Sequence, residues 1–201
     1  EMGAALKRSS YSPIIRDMED FSCAIFTSDG DLVAQADFIP AQLGAMSLVV
    51  RGILERWENR IGDGDVFICN HPYVGAMDLP DVNIVTPVFV DGRLTGWTGT
   101  AAHHVDVGGV NPGSQGPALR ELFAEGLILP PVRLQIAGEE SPEVIAIIRD
   151  NIRDPQSTLS DLRAQTAACG VGRERVLELA AQYGRDHLCE VMSRSLDAVE
   201  Q

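Results

Sequence analysis

Two short segments hold most of the residues able to do chemistry. One is Asn70-His71-Pro72-Tyr73-Val74-Gly75-Ala76-Met77-Asp78-Leu79-Pro80-Asp81; the other is His103-His104-Val105-Asp106-Val107-Gly108-Gly109. The carboxylates of Asp78 and Asp81 with one imidazole make a mixed oxygen and nitrogen ligand set. Such a set suits Mn²⁺, Fe²⁺, Zn²⁺ or Mg²⁺ and lacks the thiolates of a structural zinc site. Three protein ligands leave coordination positions free for water or substrate, as catalysis requires. Taken singly, each segment has a plainer explanation: an Asp-x-x-Asp beside proline is commonly a capped turn, and a His-His pair at a strand end commonly serves packing. Their convergence is what favours a metal site, because they flank a single expected hairpin.

That hairpin is Val82–Val90, a turn at Asp91-Gly92, and a return strand Arg93–Ala102; an Asp-Gly pair between β-rich runs is a strong hairpin signal. If Asp91 and Gly92 are the two loop residues, Val90 pairs with Arg93 and Asp81 faces Ala102. His104, not His103, is then the same-face diagonal neighbour of Asp81, and a single bulge would exchange them. The glycine-rich run Gly108–Ser114 follows directly. Its amides could cradle an oxyanion, though a plain irregular loop is the simpler reading. His187, in the terminal helix, reads as a surface residue.

The elements around this hairpin follow from patterning. A helix ends near Arg8, a short one spans Pro13 to Met18, and Phe21–Thr27 and Asp31–Ala36 form a first hairpin about Asp29-Gly30. Leu43, Met46, Val50, Ile53, Leu54 and Trp57 recur at helical spacing within Ala41–Arg60. Asp65–Cys69 is a strand and Pro130–Leu134 is extended. Ser141-Pro142 and Asp154-Pro155 each start a helix with a capping side chain and proline at the first helical position. The second of these is expected to stop near Gly170, with a last helix from about Arg173 to the end, broken at Gly184. Strands in hairpins and helices in blocks predict an α+β fold with a largely antiparallel sheet, helices packed on it and a helical C-terminal segment. We expect residues 1–140 to form the sheet domain carrying the metal site, and 141–201 a helical segment continuing into a longer protein.

The chain of 201 residues is 45% apolar, enough for a core without staples. Its formal charge of −13 disfavours nucleic acid and anionic membrane surfaces as partners. No run is long enough to span a bilayer, and the start does not read as a signal peptide. Lys7 is the only lysine and no G-x-x-x-x-G-K-[ST] loop occurs, so any ATP must be held by another region or chain. Cys23, Cys69, Cys169 and Cys189 form no C-x-x-C pair and point to a reducing, cytoplasmic setting.

Many of these motifs together resemble the hydantoinase B family. They are Asn70-x-Pro72-Tyr73-x-Gly75, Leu79-Pro80-Asp81, His103-His104-x-Asp106-x-Gly108-Gly109-x-x-Pro112-Gly113-Ser114, Glu125-Gly126-Leu127-x-Leu129-Pro130-Pro131-Val132 and Asp161-Leu162-Arg163-Ala164-Gln165. Arg8-Ser9-Ser10-Tyr11-Ser12, Asp20-Phe21-Ser22 and Leu32-Val33-Ala34-Gln35 carry the resemblance to the front of the chain. The family includes the B-type components of ATP-dependent N-methylhydantoinases and 5-oxoprolinases, and large subunits of acetone- and acetophenone-type carboxylases. The resemblance implies the N-terminal portion of a longer B-type chain. It also implies a hydantoinase A-type partner that binds ATP and phosphorylates a cyclic amide, which is then hydrolysed at a metal–water site on the B-type chain. An ATP-dependent ketone carboxylase is the alternative, and a non-catalytic scaffold that has lost its metal is a second one. By position the resemblance assigns the metal to Asp78, Asp81 and His103, against the register argument for His104. His104 is kept as an alternate active residue, and Asp106 as a proton acceptor or a residue behind the ligands. Asp78 stands where the family usually has histidine, which shifts preference from Zn²⁺ towards Mn²⁺ or Mg²⁺. His71 is a conceivable substitute for the missing imidazole.

Overall fold

The computed structural model describes residues 1–36 and 39–199. The last two residues of the expected terminal helix, 200 and 201, lie outside the described residues. The chain runs α1 (Met2–Ser9), α2 (Pro13–Arg16), β1 (Phe21–Thr27), β2 (Leu32–Gln35), α3 (Pro40–Trp57), β3 (Val66–Cys69), β4 (Asp81–Val90), β5 (Arg93–His103), β6 (Val132–Ile136), β7 (Glu139–Glu140), α4 (Pro142–Asn151), α5 (Pro155–Tyr183) and α6 (Arg185–Val199). The strands form one seven-stranded sheet in the order β2-β1-β5-β4-β3-β6-β7, every pairing antiparallel. The fold is therefore α+β, as the hairpin pattern predicts.

Helices cover both faces of the sheet. Leu43, Met46, Val49, Val50 and Ile53 of α3 pack on Phe26, Phe67, Val85 and Trp97. On the other face Leu6 and Ile15 join Leu162, Ala168 and Cys169 of α5 over Phe21, Ile68, Val82 and Ile84. This two-sided cover explains why β4 is buried from Asp81 through Val88 and reads as a mostly apolar run instead of a clean alternation. A smaller cluster of Val88, Val176, Ala180, Leu188 and Met192 seats α6. No helix of the described residues is long and apolar enough to cross a membrane.

Three details differ from the sequence expectations. First, α5 does not stop near Gly170 but runs unbroken to Tyr183, ending at Gly184. The glycine that matters is Gly172, buried where the helix meets α1 and β5. A Cβ there would lie 2.5 Å from Met2 Sδ and 3.0 Å from Thr98 Cγ2, so the residue permits close approach within a continuing helix. Second, the extended Pro130–Leu134 stretch belongs to a third hairpin, β6–β7, turned through Ala137 and Gly138, which both have positive φ.

Third, the register of β4 and β5 contains a bulge. Val90 pairs with Arg93 and Phe89 with Leu94 about a turn in which Asp91 and Gly92 both have positive φ, as a type I′ hairpin requires. Beyond that point Val88 pairs with Gly96, which leaves Thr95 as one extra residue in β5. Every later pair is displaced by one, so Asp81 faces His103 and Val82 faces Ala102. The bulge-free pairing of Asp81 with Ala102, and with it the register case for His104, is thereby overturned. A one-residue slip exchanges the two faces of a strand.

Candidate metal centre

Asp81 opens β4 and His103 closes β5, so the two form the last rung of the hairpin ladder. His103 Nδ1 lies 3.0 Å from Asp81 Oδ1. Asp78 sits in the turn just before β4, where its Oδ1 accepts a 2.9 Å bond from the backbone N–H of Asp81. Such Asx turns are the ordinary use of Asp-x-x-Asp, and here the turn also aims a second carboxylate at the rung. One ligand atom from each of Asp78, Asp81 and His103 lies within 4.8 Å of the others. The two segments that flank the hairpin are brought together at its open end.

A fourth group joins them, one that the hairpin pattern does not single out. Asp20 immediately precedes β1, and its carbonyl accepts a 3.0 Å bond from the His103 N–H. Its carboxylate accepts from Gln42 Nε2 at 3.3 Å. The pairing of Phe21 with Ala102 places Asp20 beside His103. The signal for Asp20 lies in the β1–β5 neighbourhood, a pairing between strands distant in sequence.

The charged groups of the cluster act on one another. Burial raises the carboxyl of Asp78, and the charge of Asp81 adds to the rise. Burial raises Asp20 as well. At His103 burial works against the charged imidazole, but the hydrogen bond and charge of Asp81, with Asp78 and Asp20, outweigh it and the net shift is upward. Three carboxyl groups thus share one ionisable nitrogen base, an excess of oxygen acceptors that a divalent ion would relieve.

The supporting loops are held by buried polar residues. Asn70, 1% exposed, donates Nδ2 to the carbonyls of Leu79 at 2.8 Å and Leu127 at 2.9 Å, and its Oδ1 accepts from the Leu129 N–H at 2.6 Å. It ties the loop bearing Asp78 to the strand-like run before β6. Gln115 Nε2 donates to Asp78 Oδ2 at 3.3 Å from the far end of the glycine-rich loop.

The other candidates lie elsewhere. His104 is turned to the opposite face, where Nε2 meets Gln165 Oε1 of α5 at 2.9 Å and burial lowers its pKa. Gln165 Nε2 in turn donates to the Val82 carbonyl, so His104 belongs to the joint between α5 and the sheet. Asp106 accepts from the amides of Gly108 at 2.9 Å and Gly113 at 2.8 Å, and pairs with Arg153 Nη1 at 2.9 Å. Arg153 also donates to the carbonyls of Gly108, Gly109 and Asn111. Asp106 therefore organises the glycine-rich loop, and the amides of Gly108 and Gly113 are spent on it instead of facing an outside oxyanion. His71 Nδ1 accepts from the Tyr73 N–H at 3.2 Å, capping the 3₁₀ turn Pro72–Val74, and is not part of the cluster.

The chain is similar to known proteins in sequence and in fold. Residues 1–201 match the family model described as hydantoinase B/oxoprolinase. An uncharacterised protein of Methanocaldococcus jannaschii is 42% identical over all of this chain and 36% of its own length. A putative B-type component of a D-/L-hydantoinase from Pseudomonas sp. is 39% identical over 92% of this chain and 32% of its own. The crystal structure of the ATP-dependent caprolactamase from Pseudomonas jessenii superposes with a TM-score of 0.91 at 31% identity, covering 96% of this chain and 34% of that one. The chain thus spans about a third of the length of these relatives.

Proposed function

The chain belongs to the hydantoinase B/oxoprolinase family, and on that premise we propose that it forms the hydrolytic part of an ATP-dependent cyclic-amide hydrolase. The substrate would be activated by phosphorylation on a hydantoinase A-type, ATP-binding partner and opened at the Asp78–Asp81–His103 cluster. The observation that carries this reading is the approach of those three ligand atoms to within 4.8 Å at the end of one hairpin. Two relatives support it, the hydantoinase component from Pseudomonas sp. and the ATP-dependent caprolactamase, both named for cyclic amides. The 201 residues contain no Walker-type loop, in keeping with ATP held by the partner. The four cysteines are all free, which fits a cytoplasmic setting.

The donor set fits a hard divalent ion, Mn²⁺, Mg²⁺ or Fe²⁺ ahead of Zn²⁺, since two of the three ligands are carboxylates. When bound, such an ion supplies Lewis acidity and makes water a better nucleophile near neutral pH. The remaining work falls to the protein. Asp81 and His103, fixed by opposite strands of a bulged hairpin, set the ligand spacing. Asp78, held by the Asp81 amide and Gln115, completes the set from a loop. Asp20, half-buried beside His103, offers a further carboxylate able to carry a proton during ring opening. The net reaction is cyclic amide plus ATP plus two waters to the ring-opened acid, ADP and phosphate, one water being consumed in opening the amide and one in splitting ATP.

The test combines the whole protein with its A-type partner, ATP and a panel of hydantoins and lactams. Ring opening without bicarbonate, lost on Asp81→Ala and on chelation, supports the hydrolase. Bicarbonate-dependent carboxylation of a ketone would replace it with the carboxylase reading. Full activity of Asp81→Ala would reduce this chain to a scaffold.

A further inference from the structure

Two buried amides lie against the cluster, each with one half uncommitted. Gln42, 2% exposed in the first turn of α3, donates Nε2 to Asp20 Oδ1 at 3.3 Å. Asn83, also 2% exposed, lies two residues beyond Asp81 on β4 and donates Nδ2 to the Asp81 carbonyl at 3.2 Å. These contacts fix which way each amide points. The Asp81 backbone carbonyl accepts only, and so does the Asp20 carboxylate when ionised, so the nitrogen faces each of them and the amide oxygen is left to another partner. Gln42 Oε1 and Asn83 Oδ1 then have no hydrogen-bond partner in the protein. A buried acceptor stranded in this way is costly, so its retention calls for a donor.

Both residues belong to the α3 side of the sheet. Side chains alternate along a strand, so Asn83 shares the face of Asp81. It pairs with Cys69 and with Ala101, which lies two residues before His103, and both of those pack beneath α3. Gln42 reaches the same place from the helix above, through Asp20. Two amides with unpaired oxygens therefore border residues of the cluster, Gln42 through the Asp20 carboxylate and Asn83 through the Asp81 backbone carbonyl.

We infer that Gln42 and Asn83 are positioning residues whose side-chain carbonyls accept hydrogen bonds from water carried by a divalent cation at Asp78, Asp81 and His103. The inference rests on the metal reading of the cluster. Water on a divalent ion is a strong donor, and an amide oxygen suits the task because it orients the water without taking its proton. Proton transfer is then left to the carboxylates.

The test uses the whole protein and Mn²⁺ alone, followed by electron paramagnetic resonance for affinity and water-proton relaxation for bound water. Gln42→Met and Asn83→Leu remove both halves of the amide at similar size. Gln42→Glu and Asn83→Asp keep an acceptor oxygen and remove the N–H. The first pair should weaken Mn²⁺ binding by about tenfold, at the lower edge of what outer partners of metal ligands contribute, and depress the relaxation enhancement. The second pair should stay within about threefold of the parent. If the N–H groups merely brace Asp20 and Asp81, the Glu and Asp variants would bind as weakly as the Met and Leu variants or worse, which would overturn the inference. Mn²⁺ affinity within twofold of the parent in both Gln42→Met and Asn83→Leu would do so as well. Should those two fail to fold, a tenfold loss in the Glu and Asp variants remains a refutation. A parent protein that binds no Mn²⁺ would instead sink the metal reading itself.

Discussion

Replacing Asn70 with leucine should destabilise the fold by about 3 kcal/mol and weaken the site with it. The side chain is fully enclosed and makes three hydrogen bonds, to the carbonyls of Leu79 and Leu127 and from the amide of Leu129. Each is worth about 1 kcal/mol net, and leucine is close enough in size to open no cavity. Of the three backbone groups left behind, those of Leu79 and Leu129 are buried and that of Leu127 is part-buried, and none finds a partner in the side chain that replaces Asn70. In urea, with a slope of about 2 kcal/mol per molar, the midpoint should fall by about 1.5 M. The isosteric Asn70→Asp change is the sharper arm. It turns an oxygen towards two carbonyls that need donors, so at neutral pH it should cost more than leucine. The introduced carboxyl would have its folded pKa raised, so part of the loss should return as pH falls and protonation restores one donor. A midpoint shift below about 0.5 M for Asn70→Leu, or an Asp variant more stable than the Leu variant at neutral pH, would refute the bracing role of Asn70.

Arg153→Ala should cost about 2 kcal/mol in a denaturant melt, in the range for charge-assisted bonds and reduced because the guanidinium is partly solvated. At Asp106 burial pushes the carboxyl up, but the amides of Gly113 and Gly108 and the Arg153 guanidinium outweigh it and hold it below the usual range. Its contribution to stability should therefore be complete above about pH 4 and be lost as pH falls towards the folded pKa, a dependence measurable by melting at pH 5 and pH 3. Gly172→Val should destabilise by about 2 kcal/mol through overlap with Met2 and Thr98. Gly170→Ala, whose Cβ meets nothing within 4 Å, should stabilise by about 1 kcal/mol, as calorimetry can show. His103→Ala should abolish cation binding, whereas His104→Ala should chiefly lower the melting temperature by stranding Gln165.

The first two hairpins, helix α3 and the two capped helix starts were legible because each rests on local chemistry: Asp29-Gly30 and Asp91-Gly92, the three- and four-residue apolar steps, and Ser141 and Asp154 ahead of prolines. Asp78 and Asp81 were legible for the same reason. The choice between His103 and His104 was not, since it depends on one unpaired residue, Thr95, that no local pattern announces. The resemblance assigned His103, and the bulge is what sets His103 opposite Asp81. Asp20 and Gln42 come to the cluster through the β1–β5 pairing and the packing of α3, contacts distant in sequence. Asp106 read as a proton acceptor or a residue behind the ligands, and its pairing with Arg153 was hidden because that partner lies 47 residues further along the chain. Gly170 read as a helix stop because glycine weakens a helix, a penalty that the packing of α5 across β4, β5 and α1 overrides.

The most direct test of the metal centre is an anomalous difference map from crystals of the whole protein grown with Mn²⁺. The arrangement of the three ligands predicts one strong peak about 2.0–2.3 Å from a carboxylate oxygen of Asp78, one of Asp81 and a ring nitrogen of His103. A well-ordered map with no peak among these three side chains, or with the ion bound at His104 or Asp106 instead, would contradict it.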